Sequence, residues 1–175
     1  MRKNEKQLTE AFDRHADELF RHASLRLSNR DRARDLTQDA FMKTWEYLER
    51  GGEIRELRAF LFRTLKNLII DEYRRSKSES LEALVDTDEG ETIDALIPPD
   101  ETNTVESAIA RLDGERALAL VSELPDPYRE AILLRYVDGF SPKEIANVTE
   151  LTENIVSVRI HRGLKKLRVL LEQTS

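Results

Sequence analysis

Cysteine is absent from the 175 residues, which excludes disulfides and thiolate metal sites. Histidine is nearly as scarce. His15, His22 and His161 form no His-x-x-x-His pair and no carboxylate-supported ligand set. His15 and His22, seven apart, fit one helix face and read as ordinary, partly exposed side chains. No metal site and no cofactor is expected. No apolar run approaches the ~20 residues that a membrane-spanning helix needs. The N-terminus, Met1 to Lys6, leads into a charged amphipathic stretch with no apolar signal core. A cytoplasmic protein without membrane insertion is expected. The sequence also lacks a Gly-rich phosphate loop and any paired nucleophile or acid–base set, so an enzyme is not expected. Alternating β-type patterning and internal repeats are missing too.

What is present is charge. Charged residues make up 35% of the chain and hydrophobic residues 39%, a balance that suits small bundles of amphipathic helices, each burying one face. The net charge of −6 argues against a nucleic-acid binder until it is resolved along the sequence. Residues 79–106 carry ten acids and no Lys or Arg, and without them the chain would stand at +4. Residues 55–77 hold seven basic and three acidic side chains, and residues 152–172 hold five and two. The acidity is local, and two basic segments flank it.

Hydrophobic spacing divides the chain into two helical parts. From about Glu5 to Leu27, Leu8, Phe12, Leu19 and Phe20 recur at helical intervals. Capping residues at Ser28 to Asp31 precede a second helix ending near Leu48, where Gly51-Gly52 stops it. A third runs from about Arg55 to Lys77, with Leu57, Leu61, Leu65 and Leu68 on one stripe. Between about Ser78 and Thr104 the periodicity is lost, and Gly90, Pro98 and Pro99 join the acidic run, as in a linker. The second part restarts near Val105 and reads as four helices, with breaks at Leu124 to Pro127, Asp138 to Pro142 and Thr149 to Leu151. The expected fold class is all-α: two small helical domains, 1–78 and 105–175, joined by a flexible acidic linker, 79–104.

Ser141, Pro142 and Glu144 are the N-cap, first-turn proline and capping-box acid of a short helix. A tight connection and a longer basic helix follow, the helix-turn-helix pattern whose second helix enters the DNA major groove. On that helix Val156, Ile160, Leu164, Leu167 and Leu171 make a core stripe. Ile155, Val158, Arg162 and Lys165 then face outward, flanked by Arg159, His161 and Lys166. Cations reach phosphates and guanine edges, and an exposed aliphatic meets a thymine methyl. An amphipathic helix with a solvated basic face is the plainer alternative.

The second helix presents Asp35, Gln38, Asp39, Met42 and Glu46 opposite Leu36 and Ala40. An acidic face with an exposed Met suits a protein partner better than DNA, and ordinary solvated surface is the alternative. On the third helix Arg63, Asn67, Ile70 and Arg74 share a line with Asp71 beside them, a surface for DNA or simply for solvent.

The run Asp35 to Trp45 resembles the Asp-Leu-x-Gln-Asp/Glu-x-Phe-x-x-x-Trp signature of extracytoplasmic-function sigma factors. Ala59 to Asp71 is similar to that family's following helix, in which Asn and Asp recur at the positions of Asn67 and Asp71. Leu124-Pro125, Arg129 to Arg135 and Gly139 to Ala146 match the opening of its second domain. The resemblance covers nearly all the chain outside the linker.

It implies a transcription-initiation subunit whose partners are core RNA polymerase, through the β′ clamp helices and the β subunit, and promoter DNA. An anti-sigma protein is the family's usual control. Asp35, Gln38, Asp39 and Met42 would dock on the polymerase. Arg63, Asn67, Asp71 and Arg74, with the loop from about Glu49 to Glu56, would capture an unpaired base of the −10 element. The −35 element would be read by Ile155, Ser157, Val158, Arg159, His161, Arg162, Lys165 and Lys166. The acidic linker would thread towards the polymerase cleft. One stretch departs from the family. Relatives often show Gly-Thr-Val-Lys/Arg-Ser-Arg entering the last helix, where this chain has Asn154 to Arg159, with Ser157 in place of a cation. Its promoter sequence is therefore not transferable from relatives. The alternative function is a stand-alone helix-turn-helix regulator with an N-terminal helical interaction module.

Overall fold

The computed structural model describes residues 2–77, 106–107, 110–111 and 113–174, and the expected linker, 79–104, lies outside them. Among the described residues there is helix and no strand. The order is α1 (Lys3–Arg26), α2 (Arg30–Glu49), α3 (Leu57–Lys77), α4 (Gly114–Ser122), α5 (Asp126–Ile132) running into a π turn (Leu133–Val137), α6 (Pro142–Thr149) and α7 (Glu153–Thr174). They fall into two compact units, one holding α1 to α3, the other built on α4, α5, α7 and α6 up to Ala146. No described helix is long and apolar enough to cross a membrane.

In the N-terminal unit each helix packs on the other two. Leu19 and Ala23 of α1, Leu36, Ala40 and Leu48 of α2, and Leu61, Phe62, Leu65 and Ile69 of α3 form the core. Each large apolar side chain there contributes about 1.5–3 kcal/mol by leaving water. The α3 stripe is thus turned slightly from the expected one. Leu61 and Leu65 are central, Leu57 and Leu68 lie half-buried at its margins, and Phe62 and Ile69 complete it. Phe12, spaced with the apolar residues of the first helix, is 50% exposed. His22, expected to be partly exposed, is buried edge-on to the Phe62 ring, with centroids 5.5 Å apart. His15 is half-buried and its Nδ1 lies 2.6 Å from Glu18 Oε1.

The helix ends follow from named residues. Asn29 Oδ1 accepts the Arg32 N–H at 3.1 Å and caps α2. At the other end Gly51 adopts φ +85°. Its N–H donates to the Leu48 carbonyl at 3.1 Å, and the Gly52 N–H donates to the Tyr47 carbonyl at 3.0 Å. This is a complete Schellman stop, which needs a residue free to enter the left-handed region.

In the C-terminal unit α5 packs chiefly on α7, with α4 beside both. Leu124, Tyr128, Ile132, Leu133, Leu134, Phe140, Ile145, Val156, Ile160, Leu164 and Leu167 are buried. The helix expected to run on from Val105 instead begins anew at Gly114, where Asp113 Oδ1 accepts the Arg116 N–H at 2.9 Å. The α5 helix widens at its end: Asp138 N–H reaches back five residues to the Leu133 carbonyl at 2.9 Å. The expected capping box on α6 is formed in both directions at 3.2 Å, Glu144 N–H to Ser141 Oγ and Ser141 N–H to Glu144 Oε1. Thr152 Oγ1 accepts the Ile155 N–H at 3.2 Å and starts α7.

Candidate protein and nucleic-acid interfaces

The α2 helix turns Leu36, Thr37, Ala40 and Thr44 inward, so Asp35, Gln38, Asp39 and Met42 stand together on its outer side, all exposed. Met42 is 58% exposed, a large apolar side chain on an acidic surface. The face is braced from below. Arg32 Nη1 lies 3.4 Å from Asp35 Oδ2, while its Nε and Nη2 donate to the Glu72 carboxylate of α3 at 2.8 and 2.7 Å. The hydrogen bonds from Arg32 hold the Glu72 carboxyl below its ordinary pKa, outweighing desolvation.

Beside this face runs an apolar groove of about 330 Å³ between α1 and α2, lined by Glu5, Leu8, Thr9, Phe12, Phe41 and Trp45. The Phe12 ring meets Phe41 edge-on at 5.0 Å. Gln38, Phe41, Met42 and Trp45 fall at i, i+3, i+4 and i+7, so the groove and the acidic face share one stripe of α2. Sequence reasoning assigned no surface role to Phe12, Phe41 or Trp45. The available signal was Met42, an apolar residue continuing that stripe outward.

On α3, Asn67, Asp71 and Arg74 are exposed, and Arg63 and Ile70 are half-buried. The Arg74 guanidinium lies 4.0 Å from the Asp71 carboxylate, an open pair at the surface that contributes little to stability. The same helix anchors itself with Arg58, whose Nε and Nη2 donate to Glu18 of α1 at 2.9 Å each. Burial pushes the Glu18 carboxyl up, but the bonds and charge of Arg58, helped by His15, bring it below its ordinary value.

On α7 the expected reading residues divide. Ile155, Lys165 and Lys166 are exposed, and Ser157, Val158, Arg159 and His161 are half-buried. Arg162 does not face outward: it is only 9% exposed. The expected outward face assumed packing on one side only, whereas α7 is flanked by both α4 and α5. Gly163 next to it is buried as well, and a Cβ there would stand 2.8 Å from Ile132 Cγ1, so α5 and α7 approach closely at that point. Lys166 extends its ammonium over the Tyr128 ring at 5.4 Å from the centroid.

Residues 11–79 match Sigma-70 region 2, and residues 114–167 match Sigma-70, region 4. The chain is 31% identical over 166 residues to the ECF RNA polymerase sigma factor SigL of Mycobacterium tuberculosis, covering 93% of this chain and 87% of that one. It is 29% identical over 157 residues to the ECF RNA polymerase sigma factor SigW of Bacillus subtilis, covering 89% and 84%. Two solved structures are similar at 26% identity and a TM-score of 0.69. One is the sigma factor RpoE in complex with the anti-sigma factor NepR from Bartonella quintana, covering 95% of this chain and 98% of that one. The other is CnrH in complex with the cytosolic domain of CnrY, covering 99% and 92%.

Proposed function

The chain belongs to the family of extracytoplasmic-function RNA polymerase sigma factors, and from that membership we propose how its surfaces divide the work. It is a transcription-initiation factor that brings core RNA polymerase to promoter DNA. A stand-alone helix-turn-helix regulator is not favoured, because the relatives match across both units.

In this reading residues 1–78 form the domain that docks on polymerase and handles the −10 element, 79–104 the acidic linker, and 105–175 the domain that reads the −35 element. Asp35, Gln38, Asp39 and Met42 meet the β′ clamp helices, and the groove at Phe12, Phe41 and Trp45 extends that contact. Asn67, Asp71 and Arg74, with Arg63 and the α2–α3 loop, hold an unpaired base. Capturing such a base offsets part of the unpairing cost of a few kcal/mol per step, so opening needs no nucleotide hydrolysis by this chain. Ile155, Lys165 and Lys166 present the most open contacts for −35 DNA, with Ser157, Val158, Arg159 and His161 at their margin. The similar structure of RpoE with the bound anti-sigma factor NepR supports a partner of that kind, and the site of action is the cytoplasm.

The observation that carries the reading is the common exposure of Asp35, Gln38, Asp39 and Met42 on one side of α2. The test is run-off transcription with purified bacterial core polymerase on genomic promoter fragments. Specific initiation dependent on the folded chain is expected. Folded protein that gives none sinks the reading.

A further inference from the structure

Tyr47 and Gly52 are built around each other. Beyond the backbone bond between them, a Cβ on residue 52 would stand 2.3 Å from the Tyr47 ring, so the ring fills the space that a side chain at 52 would need. The ring is also set against Phe60 of α3, with centroids 5.0 Å apart and planes inclined by 36°. Held between a backbone and a second ring, Tyr47 has little rotamer freedom left to lose. It is nevertheless 43% exposed.

Its position is informative. At about 100° per residue, Phe60, Asn67 and Asp71 lie within about 20° of one line along α3. Tyr47, packed on Phe60, therefore continues the line of Asn67 and Asp71 over the α2–α3 loop. The loop carries Arg50, Glu53, Arg55 and Glu56, two cations against two acids, so phosphate attraction does not account for an open ring there. A stacking contact does not depend on that charge balance, because every base offers a π face.

We propose that the exposed face of Tyr47 is a stacking surface for an unpaired promoter base, next to the position held by Asn67. The proposal rests on assigning the α3 face to the −10 element. A fixed ring suits this use, since binding then immobilises no new side chain. Mere support of the loop would be served as well by an aliphatic side chain of similar bulk, and the two roles separate on that point.

The experiment uses holoenzyme assembled from core polymerase and the full chain, with Tyr47→Phe, Tyr47→Leu and Asn67→Ala variants. Each is titrated against fork-junction promoter DNA whose single-stranded −10 positions are intact or replaced one at a time by an abasic site. Tyr47→Leu is expected to weaken binding to the intact fork on the order of tenfold. It should lose that effect when one particular base is missing, and Tyr47→Phe should bind as the parent does. Equal losses on intact and abasic forks make Tyr47 a loop support and overturn the stacking role, as does no loss at all. Asn67→Ala is the separate control. If it is indifferent to every abasic position, the assignment of Asn67 fails whatever Tyr47 does.

Discussion

Arg32 of α2 and Glu72 of α3 are joined by two hydrogen bonds of 2.8 and 2.7 Å, and the same guanidinium reaches Asp35 at 3.4 Å. One side chain thus links the acidic face of α2 to the helix that carries Asn67 and Asp71. A second clasp, Arg58 to Glu18, ties the start of α3 to α1. The three helices are fastened by charge as well as by their core.

These clasps set an acid limit on stability. Glu72 and Glu18 both have carboxyl pKa values below the ordinary 4.5, Glu72 through its bonds to Arg32, Glu18 because Arg58 and His15 overcome the effect of burial. Between the folded and unfolded values the unfolded chain binds more protons. The stabilisation is therefore complete above about pH 4.5 and lost as pH falls through the folded values. Glu18→Gln should cost about 1–2 kcal/mol at pH 7. It should also narrow the drop in urea midpoint between pH 7 and pH 3. An unchanged drop would mean that Glu18 is not among the groups setting it.

Polymerase docking can be separated from DNA binding. Asp39→Ala and Met42→Ala should each weaken core binding by on the order of tenfold, the effect of losing a contact worth about 1.4 kcal/mol. Binding of the free chain to a −35 duplex should stay the same. Core affinity that survives both changes would move the docking face elsewhere.

On α7, Arg162 and Lys165 should part company. Lys165→Ala is expected to weaken −35 binding and to reduce the salt slope of log K by about one, the signature of a lost phosphate contact. Arg162→Ala should instead lower the thermal stability of the chain, because it vacates a buried charged position. A circular-dichroism melt beside a fluorescence-anisotropy titration tells the two apart.

Gly163→Ala sets two effects against each other. Alanine favours a helix over glycine by about 1 kcal/mol, while the new Cβ meets Ile132 at 2.8 Å, and overpacking of a core costs about 1–3 kcal/mol. A net loss of up to about 2 kcal/mol is expected in urea unfolding. A gain would show that α5 yields at Ile132.

Much of this architecture is written locally and could be read so. Ser141, Pro142 and Glu144 specify a helix start within four residues, Gly51 specifies a stop, and the four acidic-face positions of α2 follow from the burial of Leu36 and Ala40. What escaped the sequence depends on neighbours. A helical wheel assigns one buried side, so it placed Arg162 outside when two helices flank α7. It grouped Phe12 with the apolar stripe of α1, although Phe12 is half exposed at a groove beside Phe41 and Trp45. Tyr47 and Gly52 gave no periodic signal, because their fit is between a helix end and the loop that leaves it.

The π turn at Leu133–Val137 bears on how this domain tolerates changes of length. A π turn accommodates one residue more than the α-helix it interrupts. Deleting one residue there would let the helix relax to a regular α form, leaving Tyr128 and Ile132 on one side and Phe140 on the other in their present places. The same deletion inside α7 would rotate everything beyond it by about 100° and carry Leu164 and Leu167 out of the core. Within the C-terminal unit, one helix has slack in its numbering and the other has none.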